Sequence, residues 1–100
     1  MTNLFIDNKS LNILIDIFSS FCPNSEVFAY GSRINGKAHE GSDLDLVIKN
    51  FPKDKYLYEL KEIISESNVL FLTDINIYEN LPDSFKKEID KNNKKIFPVG

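Results

Sequence analysis

Apolar residues along this chain alternate between two spacings, and each change of spacing marks an element. Between residues 8 and 21, Leu11, Leu14, Ile15 and Phe18 fall at i, i+3, i+4 and i+7, the stripe of an amphipathic helix. Either Asp7 or Asn8 can accept the N–H groups left over at its start. Cys22-Pro23-Asn24-Ser25 stops the helix, because the residue before a proline is pushed out of the α region. Glu26 to Tyr30 then reads as a short strand running into Gly31-Ser32, followed by a glycine-rich loop over 33–42. From Asp43 to Lys49 the period is two. Leu44, Leu46 and Ile48 share one face, while Asp43, Asp45 and Val47 share the other.

The second half repeats the alternation. A turn forms around Pro52, and residues 55–66 carry a helical stripe of Leu57, Leu60, Ile63 and Ile64. Val69 to Tyr78 reads as a third strand, with Phe71, Thr73, Ile75 and Ile77 on one side and Leu72, Asp74, Asn76 and Tyr78 on the other. A last helix begins near Pro82, which suits the first helical position, and Asp83 complements the helix dipole there. Phe85 and Ile89 are its expected anchors. Lys95-Ile96-Phe97-Pro98 either adds a short edge segment or docks on a partner. The order α-β-(loop)-β-α-β-α predicts a small α+β (mixed α/β) domain.

Composition narrows the function classes. One hundred residues, 42% of them hydrophobic, predict one domain over 1–100 with a packed interior. A domain this small buries only about 60–65% of its unfolded surface. A net charge of −3 and a pI near 5.1 argue against direct nucleic-acid binding. Lys86, Lys87, Lys91, Lys94 and Lys95 read as the solvated side of the last helix. Cys22, the single cysteine, excludes an intramolecular disulfide, is expected to pack at a helix end, and leaves no Cys/His spacing for zinc. No apolar run reaches the ~18 residues of a membrane span. The start lacks the basic region of a signal peptide, so the cytoplasm is the expected location.

Unusual chemistry is concentrated between Gly31 and Asp45. That window holds three of the four glycines, the single arginine Arg33 and the single histidine His39. It ends in Asp43-Leu44-Asp45, whose aspartates lie on one strand face with Cα atoms about 6.5–7 Å apart. Two adjacent anions on a half-buried face repel unless a cation lies between them, and a hard divalent ion with oxygen ligands is the natural solution. Asp74 lies mid-strand among hydrophobic residues, where a carboxylate is costly unless paired or ligating. Pairing of its strand with the Asp43–Ile48 strand would complete a three-carboxylate cluster for one or two Mg²⁺ ions. Gly31 permits a tight bend at a strand end, where the following N–H groups and the Ser32 hydroxyl can face a phosphate. Arg33 adds a planar, always-charged fork for phosphate oxygens. Gly36 and Gly41 let the loop fold back, and Ser42 either orients the site or serves the turn. His39 and Lys37 read as solvated loop residues. Tyr30 is expected in the core. Asn76 and Tyr78 share the face of Asp74, and either line the pocket or lie at the sheet's exposed margin.

The pattern Gly31-Ser32, ten residues, Asp43-Leu44-Asp45 resembles the signature of the DNA polymerase β-like nucleotidyltransferase superfamily. At this length the chain is similar to the minimal nucleotidyltransferases, the antitoxin group whose genes accompany HEPN-domain toxins. The likeness covers the opening helix, the A-Y-G-S-R-I-N-G turn, G-S-D-L-D-L-V and the T-D-I-N-I-Y-E strand with its following helix. It implies a short mixed sheet with helices packed mainly on one face. It also implies nucleoside triphosphate held by Gly31, Ser32, Arg33 and Ser42, and Mg²⁺ held by Asp43 and Asp45. Asp74 then helps activate an attacking hydroxyl or supplies the third ligand. Some members of the group transfer AMP from ATP to a tyrosine of the partner toxin. Where the family often reads G-S-R-A-R-G, this chain has Ile34-Asn35. The resemblance therefore implies a Mg²⁺-dependent nucleotidyltransferase acting on a HEPN-type toxin, with a second subunit or the acceptor completing the site and a homo-oligomer possible. The alternative is a nucleotide-binding module that neutralises its toxin by docking.

Overall fold

The computed structural model describes residues 7–31, 44–69 and 72–99. Asp7 opens the first element: its carboxylate accepts the Ser10 N–H at 2.9 Å, so of the two candidate caps the aspartate is the one used. Helix α1 runs Asn8–Phe21 and buries Ser10, Leu14, Phe18 and Phe21. Cys22 closes it, fully buried, with its N–H donating to the Phe18 carbonyl at 2.8 Å. Strand β1 (Glu26–Tyr30), strand β2 (Leu44–Lys49), helix α2 (Leu57–Ser65), strand β3 (Thr73–Ile77), helix α3 (Asp83–Lys91) and strand β4 (Lys94–Phe97) follow.

Three boundaries differ from the expectation, each for a local reason. Helix α2 starts at Leu57 because Lys55 belongs to the preceding turn: its N–H bonds the Pro52 carbonyl at 3.4 Å, and its ammonium donates to the Phe21 carbonyl at the end of α1. The third strand is shorter than expected, since Tyr78–Asn80 tightens into a 3-10 turn; Leu70 and Phe71 lie outside the described residues. Pro82 caps α3 in an extended conformation rather than forming its first turn, and its carbonyl accepts the Phe85 and Lys86 N–H groups at 3.0 Å. The tail is resolved in favour of an edge strand. Ile96 and Phe97 of β4 are buried, and the Phe97 ring lies 6.0 Å from that of Phe18.

The four strands form one sheet in the order β3-β2-β1-β4. β1 pairs antiparallel with both β2 and β4, while β2 and β3 are parallel and joined through α2. The period-two reading holds. Val27, Ala29, Leu44, Leu46, Ile48 and Ile75 are fully buried in one cluster with Leu14 and Phe18 of α1 and Leu60 and Ile64 of α2. Val47 and Ile89 are buried as well, yet stand apart from that cluster, because α3 crosses the opposite face. Two helices thus cover one face and a third covers part of the other. The expected lysine face of the last helix is divided accordingly. Lys94 and Lys95 sit on β4, with Lys95 pairing Glu26 at 2.9 Å, and Lys86 stands over the Tyr78 ring. No helix among the described residues is long and apolar enough to cross a membrane.

Candidate active site

Strand directions bring the chemistry together. Because β1 is antiparallel to β2 and β2 is parallel to β3, the end of β1 and the starts of β2 and β3 meet at one edge of the sheet. Gly31 follows the last residue of β1, and Asp45 and Asp74 are each the second residue of their strands. Asp45 and Asp74 are direct register partners, as are Tyr30 and Asp45. Neighbouring strands lie about 4.8 Å apart, so the two carboxylates stand side by side on one face. The Leu44 N–H, bonded to the Leu72 carbonyl at 2.9 Å, extends the ladder past Thr73 and fixes this edge.

Gly31 sits against the pair. Its φ is +81°, which disfavours any side chain, and a Cβ placed on it would lie 2.5 Å from Asp45 Oδ2. The missing side chain at the bend thus leaves room for a carboxylate oxygen of Asp45. Asp45 is half-buried, whereas Asp74 is exposed on the edge strand β3. Asp74 occupies a surface position of an edge strand, where solvent lowers the cost of its carboxylate, and its place beside Asp45 rests on register. Two in-register carboxylates form an oxygen-only donor set that fits a hard divalent cation.

Tyr30 packs against the main core, as expected, and is half-buried there. Val27 and Ala29 are fully buried, and alternation sets Tyr30 apart from them, so its phenol also lies near the charges of Asp45 and Asp74. The Tyr30 hydroxyl lies within hydrogen-bonding reach of the Asn76 side chain. Burial pushes the phenol above its ordinary range; the Asp45 and Asp74 charges push the same way, against the lowering by Asn76. The ring is held edge-on by Phe85 of α3 at 5.9 Å. Beside it a cleft of about 290 Å³ is lined by Tyr30, Gly31, Phe85, Glu88, Ile89 and Asn92. Strand parity was the signal in the sequence that could have placed Tyr30 here. The alternatives for the neighbouring polar residues now separate. Asn76 belongs to the site face, and Tyr78 lies at the margin, its hydroxyl donating to Asp90 at 2.9 Å with the Lys49 ammonium 4.5 Å over its ring.

The structure thus brings together Gly31, Asp45 and Asp74. Ser32, Arg33, Ser42 and Asp43, with Lys37 and His39, lie outside the described residues. Among the described residues there is accordingly no cluster of three or more His, Cys, Asp or Glu side chains able to hold a metal ion.

This architecture, a four-stranded mixed sheet backed by two helices with a glycine bend against paired aspartates at one edge, is that of a nucleotidyltransferase-type α+β domain. Residues 12–98 match the polymerase β nucleotidyltransferase family, and the chain belongs to that family: it is a nucleotidyltransferase. It is 36% identical over 90 residues to the probable protein adenylyltransferase MntA of Haemophilus influenzae, covering 88% of this chain and 79% of that relative. Among solved structures, that of a toxin–antitoxin with AMP-PNP matches with a TM-score of 0.68 over 89% of this chain and 73% of that one. At 16% identity this second likeness is one of fold.

Proposed function

We propose that this protein transfers an adenylyl group from ATP to a hydroxyl of a partner protein in the cytoplasm, as the antitoxin half of a pair with a HEPN-type toxin. The observation that carries the reading is the register of Asp45 with Asp74 beside Gly31, which sets near one another three residues far apart in sequence. The name of the Haemophilus relative supports adenylyl transfer to protein, and the toxin–antitoxin neighbour with AMP-PNP supports both a toxin partner and an adenine nucleotide.

In this reading Asp43 and Asp45 hold Mg²⁺, with Asp74 as third ligand or general base. When bound, Mg²⁺ neutralises phosphate charge and favours in-line displacement at phosphorus. Gly31, Ser32, Arg33 and Ser42 bind the triphosphate through backbone N–H groups, hydroxyls and a guanidinium. Asp74 accepts the proton of the attacking hydroxyl, whose oxygen forms the new bond to the α-phosphorus. The bond from the α-phosphorus to the α–β bridging oxygen breaks, and pyrophosphate leaves. Exposure of Asp74 suits this role, because an acceptor carried by another protein must reach it from solvent.

Incubation with labelled ATP, Mg²⁺ and the product of the neighbouring gene tests the proposal. Label is expected on the partner with the wild type and none with Asp43→Asn or Asp45→Asn, both melting as cooperatively as the wild type. Full transfer by either variant refutes the metal role. Protection of the cell from the toxin without any label replaces catalysis by docking.

A further inference from the structure

We propose that the acceptor segment of the partner protein binds in extended form along the outer edge of β3, as an added strand that sets its hydroxyl-bearing residue opposite Asp74. The inference rests on the reading of Asp74 as the group that meets the acceptor. β3 is the last strand on its side of the sheet. Successive residues of a strand turn their main-chain groups alternately to its two sides. The Leu72 carbonyl accepts the Leu44 N–H of β2, so Leu72, Asp74 and Asn76 face β2. The N–H groups of Thr73, Ile75 and Ile77 then point away from it. Among the described residues, nothing pairs with that outer row.

Such a row is a template for another extended chain, and sheets commonly blunt it with lysine, proline or a bulge. The opposite edge of this sheet is blunted in all three ways. β4 carries Lys94 and Lys95, its register with β1 shifts between Val27 and Phe28, and Pro98 follows it. β3 has no lysine, no proline and an unbroken register with β2, and its one charge is Asp74. Leu72 narrows the occupant. It is 75% exposed and lies two residues before Asp74, on the same face. An added strand places a side chain opposite each of them, with Cβ atoms about 4.5–5.5 Å apart. The segment that fits therefore carries a hydroxyl residue and, two positions along, an apolar one. Main-chain bonds hold the strand, and the alternate side chains select it. The acceptor hydroxyl is thereby kept beside the carboxylate that takes its proton.

Amide hydrogen exchange on the full chain, followed by NMR, reads the added strand directly. With the purified product of the neighbouring gene present, the Thr73, Ile75 and Ile77 amides should slow by about tenfold or more, while Asp74 and Asn76 keep their free rates. Two variants read the consequence. Thr73→Pro removes an N–H that faces away from β2, at the first residue of an edge strand where proline is tolerated, and blocks the new ladder. Leu72→Ala removes the apolar contact. In each, kcat/KM for the partner should fall about tenfold or more, with ATP affinity by calorimetry near the wild-type value. If Thr73→Pro melts early, the exchange pattern and Leu72→Ala decide. Label transfer without slowing of those three amides, or with wild-type kcat/KM in Leu72→Ala, overturns the inference and leaves the transferase reading standing. Slowing that appears in the chain alone and grows with its concentration replaces the partner by a second copy, and overturns it too. A wild-type protein that labels nothing overturns the transferase reading and this inference with it.

Discussion

Gly31 answers two demands with one missing atom. Its left-handed φ costs a side-chain-bearing residue about 1–2 kcal/mol, and the space where a Cβ would go already holds an Asp45 oxygen. That oxygen is the far end of a side chain, so an added methyl would swing the carboxylate aside rather than unfold the sheet. Gly31→Ala should therefore lower stability to urea by about 1–2 kcal/mol and lower transfer by about tenfold or more, since small misplacements at reacting groups are costly. Transfer at the wild-type rate, with the stability loss present, would show that Gly31 serves the backbone alone. Asp45 and Asp74 illustrate a second residue-scale lesson. They share a register and a face but differ in exposure, and the exposed one is suited to meeting a partner.

Among the elements, the start of α1 shows how charge enters stability. The hydrogen bond from the Ser10 N–H holds the Asp7 carboxyl below its ordinary range. A carboxylate depressed on folding contributes stability that is present above its unfolded value and is lost as pH falls through the folded one. Asn at this position also caps but does not titrate. The wild type should melt above Asp7→Asn near neutrality, and the difference should shrink below about pH 4. A difference that stays constant from pH 7 to pH 3 would remove the charge from this account. Helix α3 makes a different point about elements. Its sequence is weakly apolar, and Ile89 is its only buried residue, so one side chain seats the helix that carries Phe85 onto Tyr30.

Over the whole molecule, the sheet has two unequal sides. The side under α1 and α2 carries the main core, and the other side carries Val47, Ile89 and the Asp45–Asp74 pair. Truncating a buried isoleucine or leucine costs about 2–5 kcal/mol on either side. Ile89→Ala and Leu60→Ala should thus lose comparable stability in urea unfolding. Only Ile89→Ala should also lose transfer under conditions where both variants remain folded, because Ile89 and Phe85 line the cleft beside Gly31. Equal transfer in the two would mean that α3 has no hold on the site.

Much of this protein was determined by sequence alone. The 3.6 and 2.0 periods place the helices and strands, and strand parity separates the core residues of β2 from Asp45. The glycine–aspartate spacing marks the window that resembles the nucleotidyltransferase signature. Each is a local property, read within one turn or one pleat. Tertiary structure decided what depends on partners distant along the chain: that β3 joins β2 in parallel at an edge, and that Asp74 stands beside Asp45. Which strands pair, and in which direction, is settled by crossover connections and by the burial of whole faces, and neither is written in the spacing of residues along a single strand.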